Sequence, residues 1–247
     1  MKKLILLIMI SLFGLSSCAK KEIRTETYKT NDGTNITFKF FGHASLAMEV
    51  DGKWIYLDPV SQYGDFKKEH KAAAIFVTHS HFDHLDAQAI DALTEERTMI
   101  FCDHTSEEKL NSKRVTVMKP GKEITLFSNI KVETIAAYNT TVGHTQFHPK
   151  EREDCGYIFN IGGSRIYVSG DTENTPEMKS LKDIDVAFLP VNQPFTMTVD
   201  EAIDAVKSIH PKVFYPYHYG ETDQKTDINR LAGEAEKYTE VRIREME

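Results

Sequence analysis

The run Ala73-Ala74-Ile75-Phe76-Val77 leads directly into Thr78-His79-Ser80-His81-Phe82-Asp83-His84, and no other stretch of the 247-residue chain restricts the fold so tightly. A short apolar run with a β-branched end reads as a buried strand. His79 and His81 are two positions apart, so on extended backbone their side chains share one side. Asp83 and His84 follow where the strand must break into a loop. Three imidazoles and a carboxylate at the mouth of a buried strand carry desolvation penalties for no structural return unless something binds them. Neutral imidazole and carboxylate are the donors that borderline metals such as zinc prefer. The fold must therefore bring further donors to this strand end.

The front of the chain reads as a targeting segment. Lys2 and Lys3 precede the apolar stretch Leu4 to Leu15, which is too short to span a bilayer comfortably. Leu15-Ser16-Ser17-Cys18 resembles the lipobox of bacterial lipoproteins. That resemblance implies a signal peptide over 1–17, acylation of Cys18, and a chain held at a membrane in the bacterial cell envelope, facing away from the cytoplasm. Stable anchoring needs more than one acyl chain. Residues 18–35 are polar and read as a tether, leaving a single domain over 36–247. The formal charge is −7, and losing Lys2 and Lys3 with the signal makes it −9. That argues against nucleic acid, which wants a basic face, and leaves open a small, even anionic, substrate. Only Cys102 and Cys155 remain as thiols; they read as two separate buried residues rather than a disulfide framework.

Strands are expected at 36–41, 45–50, 54–58, 98–102, 115–118, 123–127, 130–137, 157–161, 165–169, 185–190 and 212–216. Asp51-Gly52 and Gly162-Gly163 are hairpin signals. Helices are expected at 87–97 capped by Asp86, at 198–209 starting near Thr198 or Asp200, and at 227–238. Meanders interleaved with strand–helix units predict an α+β fold, two facing sheets with helices outside, with the site in loops at one sheet edge.

Two later strand ends offer the missing donors. Gly170-Asp171-Thr172 follows one, and Tyr217-His218-Tyr219-Gly220 follows another. In this order, THSHFDH, GDT and PYHYG resemble the metallo-β-lactamase superfamily. Phe41-Gly42-His43-Ala44-Ser45, Leu57-Asp58-Pro59, the stretch from Ile184 to Pro190, and Phe195-Thr196-Met197-Thr198 are similar to the branch of metal-dependent hydrolases around L-ascorbate-6-phosphate lactonase. The resemblance implies a four-layer αββα sandwich and a dinuclear site, two Zn2+ first, with Mn2+ or Fe2+ as other occupants.

The same resemblance implies roles. His79 and His81 match ligands of one metal, Asp83 and His84 of the other, Asp171 the bridge and His218 the second metal's last ligand. The place of the first metal's third histidine is held by Asn139, a poor zinc ligand. His148 in Phe147-His148-Pro149 is the favoured replacement, as in related hydrolases with the same AYN; His144 is next and Cys155 last. His43 and Asp58 are candidates to support ligands from behind, and Asn139, Asn192, Gln193, Tyr217 and Tyr219 to donate into the pocket. His70, His104 and His210 have no such context. The expected chemistry is attack of a metal-bound hydroxide, oriented by Asp83, on an ester, lactone, amide or phosphodiester. Two other readings stay open: a di-iron redox protein, and a non-catalytic envelope binding protein with an impaired site, suggested by Asn139. Oligomeric state is not readable.

Overall fold

A computed structural model describes residues 24–110, 114–220 and 222–247. The expected signal peptide over 1–17 and the expected acylation site Cys18 lie outside the described residues. Fourteen strands form two seven-stranded sheets among the described residues. The first holds β1 (Arg24–Lys29), β2 (Asn35–Gly42), β3 (Ser45–Val50), β4 (Lys53–Leu57), β5 (Ala72–Phe76), β6 (Met99–Cys102) and β7 (Val115–Val117) in chain order. The second runs β14 (Glu240–Val241), β13 (Val213–Tyr217), β12 (Val186–Pro190), β11 (Ser164–Val168), β10 (Cys155–Ile161), β9 (Ile130–Ala136) and β8 (Glu123–Leu126). Helices are α1 (Ala87–Leu93), α2 (His104–Leu110), α3 (Pro176–Lys179), α4 (Val199–Ile209) and α5 (Ile228–Ala235).

The period-2 pattern of the strands sorts the side chains into layers. Along β5, Ala74 and Phe76 point into the space between the sheets, whereas Ile75 and Val77 face the layer of α1. Along β11, Ile166 and Val168 face inward and Tyr167 faces the layer of α4 and α5. Aromatic rings fill the central layer: Phe76 meets Phe159 edge-on at 4.9 Å, and Phe188 stacks on Tyr215 at 4.8 Å. The expected αββα sandwich is the fold observed. No helix among the described residues is long and apolar enough to cross a membrane.

Some expectations need correcting. Residues 24–29 fall in the stretch expected to be a tether, yet form β1, paired antiparallel with β2 from Arg24↔Phe40 to Lys29↔Asn35. An edge strand half in water has no need of apolar residues, so its polarity hid it. Helix α1 ends at Leu93 rather than 97, because Thr94 turns extended (φ −76°, ψ 140°) to start the descent into β6. Asp86 caps α1 through Gln88 N and Ala89 N, and Thr198 makes a full capping box with Glu201 on α4, both as expected. Cys102 and Cys155 are separate buried thiols.

Strand directions bring the site together. β4, β5 and β6 run parallel, as do β11, β12 and β13. The C-terminal ends of β4, β5, β11 and β13 therefore open on one edge, and β2 and β9, each two antiparallel steps away from β4 or β11, end there too. Cross-sheet hydrogen bonds close that edge: Cys155 N donates to Thr78 O at 3.1 Å and His218 N to His43 O at 3.0 Å.

Candidate metal centre

Gly170 lets β11 approach β5 closely. Its φ is +67°, and a Cβ there would lie 3.0 Å from Thr78 Cβ, so this turn requires glycine. Asp171 is thereby carried under the histidine cluster. His43 (φ 52°), Asp58 (φ 44°) and His218 (φ 47°) also hold left-handed backbone. Three non-glycine residues in this region around one site mark a place where surrounding contacts override local preference.

One half of the centre is His79, His81 and His148, whose donor atoms lie within 4.8 Å of one another. His79 Nε2 is 3.0 Å from His81 Nδ1. His148 arrives on the segment between β9 and β10, and its Nε2 is 3.4 Å from Asp171 Oδ2. Behind this trio stands Arg152, whose Nη1 is 2.7 Å from His81 Nε2 and whose Nη2 is 3.3 Å from His148 Nδ1. Arg152 Nε donates to both oxygens of the buried Asp154, at 2.8 and 2.9 Å. Burial, aided by the Arg152 charge, pushes the His81 pKa down to about 4. Burial and the charge of His84 hold His79 well below the ordinary histidine value. Both imidazoles are kept neutral, the form a metal needs.

The other half groups His43, Asp83, His84 and His218. Asp58 takes hydrogen bonds from Thr78 N (2.8 Å) and Thr78 Oγ1 (2.7 Å), and its Oδ2 is 2.8 Å from His84 Nδ1. This carboxylate fixes the His84 ring so that Nε2 faces Asp171 Oδ1 at 3.3 Å. Asn192 does the same for His218: its side-chain amide meets Nδ1 at 3.1 Å, leaving Nε2 3.1 Å from Asp171 Oδ2. His43 Nε2 is 3.1 Å from Asp83 Oδ2, and its ring stacks on Tyr63. Burial opposes a charge on His84, but Asp171 and Asp58 outweigh it and hold its pKa well above the usual value. Burial would raise the carboxyls of Asp171 and Asp83; the facing histidines (His218 and His84 for Asp171, His43 and His84 for Asp83) hold both below the usual range.

Asp171 lies between the halves. Its oxygens are 3.9 Å from His79 Nε2 and 3.4 Å from His148 Nε2 on one side, and 3.3 Å from His84 Nε2 and 3.1 Å from His218 Nε2 on the other. His84 Nε2, His218 Nε2 and Asp171 Oδ1 are buried with no hydrogen-bond partner among the described residues. Such atoms each cost about 1–3 kcal/mol when unsatisfied. A cation among them would satisfy all three, so the donor set fits a metal.

His148, the favoured replacement, reaches the cluster. His144, the second choice, turns away, its Nδ1 3.3 Å from Glu173 Oε1, and Cys155 is buried with its Sγ towards Glu153 O. Asn139 neither binds in the cluster nor lines the cavity. Its N–H donates to His148 O (2.8 Å) and its Nδ2 to Phe195 O (2.8 Å), so it braces the loop that presents His148. Of the expected pocket donors, Asn192 lines the cavity. Tyr217 does not: it is fully buried in the central core beside Phe188. The amide of Gln193 is spent on Thr196 O and the hydroxyl of Tyr219 on Arg244 O. His70 stacks on Trp54, His104 opens α2, and His210 ends α4. Arg152, Asp154 and Glu173 had no visible signal. The first two sit in the charged run Lys150-Glu151-Arg152-Glu153-Asp154, which reads as a solvated loop.

A family profile described as the beta-lactamase superfamily domain matches residues 37–218. A UPF0173 metal-dependent hydrolase of Symbiobacterium thermophilum is 31% identical over 195 residues, covering 74% of this chain and 83% of that protein. Another from Methanosarcina mazei is 29% identical over 222 residues, 85% of this chain and 95% of that one. The crystal structure of a proposed metal-dependent hydrolase from Parabacteroides distasonis superposes with a TM-score of 0.86 at 44% identity, covering 92% of this chain and 100% of the other.

Proposed function

The chain belongs to the beta-lactamase superfamily and, within it, to the UPF0173 metal-dependent hydrolases; from that premise we propose that it is a dinuclear enzyme, zinc first, splitting an ester, lactone, amide or phosphodiester with water. The position of Asp171, within 3.1–3.9 Å of imidazoles from both halves, is the observation that carries this reading. His79, His81 and His148 would hold one ion, Asp83, His84 and His218 the other, with Asp171 shared. Bound there, the ions supply Lewis acidity and a water acidified towards neutral pH.

The chain's own residues do the rest. Asp83, kept ionised and side-chain exposed by 20%, faces the cavity and orients the attacking water by accepting its hydrogen bond. His43 steadies that carboxylate through Oδ2. Asp58 and Asn192 lock the rings of His84 and His218, so neither must reorganise during turnover. The motif resemblance of Phe41-Gly42-His43-Ala44-Ser45 and Leu57-Asp58-Pro59 to a lactonase branch favours, in our reading, a lactone or ester over a phosphodiester. The lipobox-like segment supports work at a membrane surface through Cys18, which labelled palmitate tests by its loss in Cys18→Ala.

The deciding experiment is metal analysis of chelator-free protein together with hydrolysis assays on esters, lactones and phosphodiesters. About two ions per chain and turnover of one class are expected. Protein that takes up none after zinc, manganese or iron loading removes the proposal.

A further inference from the structure

Beside the ligand cluster lies a cavity of about 420 Å³. One wall is the ligand set. The rest of the lining is apolar or uncharged: Phe82, Phe147 and Phe195, with Gln146, Asn192 and Thr222. The only charged groups besides histidine on the described lining are the carboxylates of Asp83 and Asp171, with no lysine or arginine among those residues. Arg152 touches His81 and His148 from behind and is engaged by Asp154.

Phe82 stands between two ligand positions and is 83% exposed. A ring in that place contributes nothing to the core and leaves apolar surface in water. Phe147 and Phe195 come from different loops, meet edge-on at 4.9 Å, and are tied together by Asn139. Val142, 97% exposed, adds apolar surface on the same loop as Phe147. A phosphate or carboxylate remote from the reacting bond would meet Phe82, Phe147, Phe195 and uncharged Gln146 and Thr222, with no cationic side chain among the described lining residues, whereas anion recognition relies on arginine or lysine.

We propose that the substrate is an ester or lactone carrying an uncharged apolar arm, an acyl chain or an aromatic group, which lies on Phe82, Phe147 and Phe195 while its carbonyl faces the ligand cluster. This deepens the hydrolase reading and rests on it. Water adds to the acyl carbon, the bond from that carbon to the alcohol oxygen breaks, and the alcohol leaves with a proton. The products are a carboxylic acid and an alcohol, joined as one hydroxy acid when the substrate is a lactone, and no redox partner is needed.

The test measures dissociation constants of straight-chain hydroxamates on metal-loaded full-length protein. The hydroxamate head seeks metal, and the chain reports the wall. Each buried methylene is worth up to about a fourfold gain, so octanohydroxamate is expected to bind about 30-fold or more tighter than acetohydroxamate. Phe82→Ser and Phe195→Ser are expected to flatten that dependence. Equal affinity along the series, or tighter binding of a phosphonate-ended chain, overturns the proposal. On metal-free protein the neutral fluorophore N-phenylnaphthylamine tests the wall alone: enhanced emission that falls in Phe82→Ser supports it, and no enhancement overturns it. Failure of metal loading therefore sinks the hydrolase reading separately from the apolar wall.

Discussion

Behind His81 and His148 stands an arginine, with Nη1 2.7 Å from His81 Nε2; behind His84 and His218 stand a carboxylate and an amide, Asp58 and Asn192. The two halves of the centre thus solve one problem in opposite ways. In the first half, burial keeps His79 and His81 neutral, aided by the charge of His84 for His79 and of Arg152 for His81. In the second, Asp58 and Asp171 flank His84 and favour its protonated form. Buried carboxylates facing each other need positive charge among them. Without metal, a proton on His84 supplies it; with metal, that proton must leave. Arg152 already provides the corresponding charge beside the first half, and Asp154 holds it there.

Removing the residue that both halves share is the harshest test. Asp171→Asn is expected to strip metal from both halves and lower kcat/KM by about a thousandfold or more, since the change removes a charge central to the whole donor set. Metal content per chain after dialysis decides the matter. Retention of one full equivalent would assign Asp171 to a single half and break the symmetry claimed for it. A milder cut separates the halves. His148→Ala is expected to halve the metal content and cost about 10–100-fold in activity, with the other ion retained. His144→Ala is expected to leave both ions, because that ring faces Glu173. The reverse pattern would move the third ligand of the first half to His144.

The same contrast explains what the amino-acid order disclosed. THSHFDH, GDT and PYHYG each place donors straight after a buried strand, so topology alone converges them, and the side chains of His79, His81, Asp83, His84, Asp171 and His218 lie together. His148 was reachable only by resemblance, since its approach depends on a loop pinned by Asn139 N to His148 O and by Glu173, which accepts from Thr140 N and Thr141 N. Such pins are nonlocal and leave no periodic mark. Arg152 and Asp154 were hidden for a different reason: in a run of charges, the one ion pair that becomes buried looks like its solvated neighbours. Tyr217 misled because strand-end aromatics next to a ligand look like pocket donors, whereas period-2 geometry turns Tyr217 into the core and only His218 into the site. Strand β1 was missed because edge pairing asks little of side chains.

Acid gives the smallest effect and the sharpest discrimination. In the metal-free protein, His81 has a folded pKa of about 4 against an ordinary 6.5. Between those values the unfolded chain binds more protons, so this contribution to stability falls as pH drops from 6.5 towards 4. His84 works the other way: its folded pKa is raised, so its contribution is full below the ordinary value and is lost as pH rises through the raised one. Loaded protein should show the corresponding competition. Below the raised His84 pKa, metal in the second half must displace a proton, and its affinity is expected to drop about tenfold per pH unit. Metal in the first half meets no proton competition from His81 until pH nears 4. Stepwise dialysis from about pH 8 downward is therefore expected to release one ion per chain before the other. In His148→Ala, the single remaining ion is expected to leave at the higher of the two pH values. Simultaneous release of both ions from the unmutated protein would mean that the bridging carboxylate couples the halves more strongly than their separate surroundings divide them.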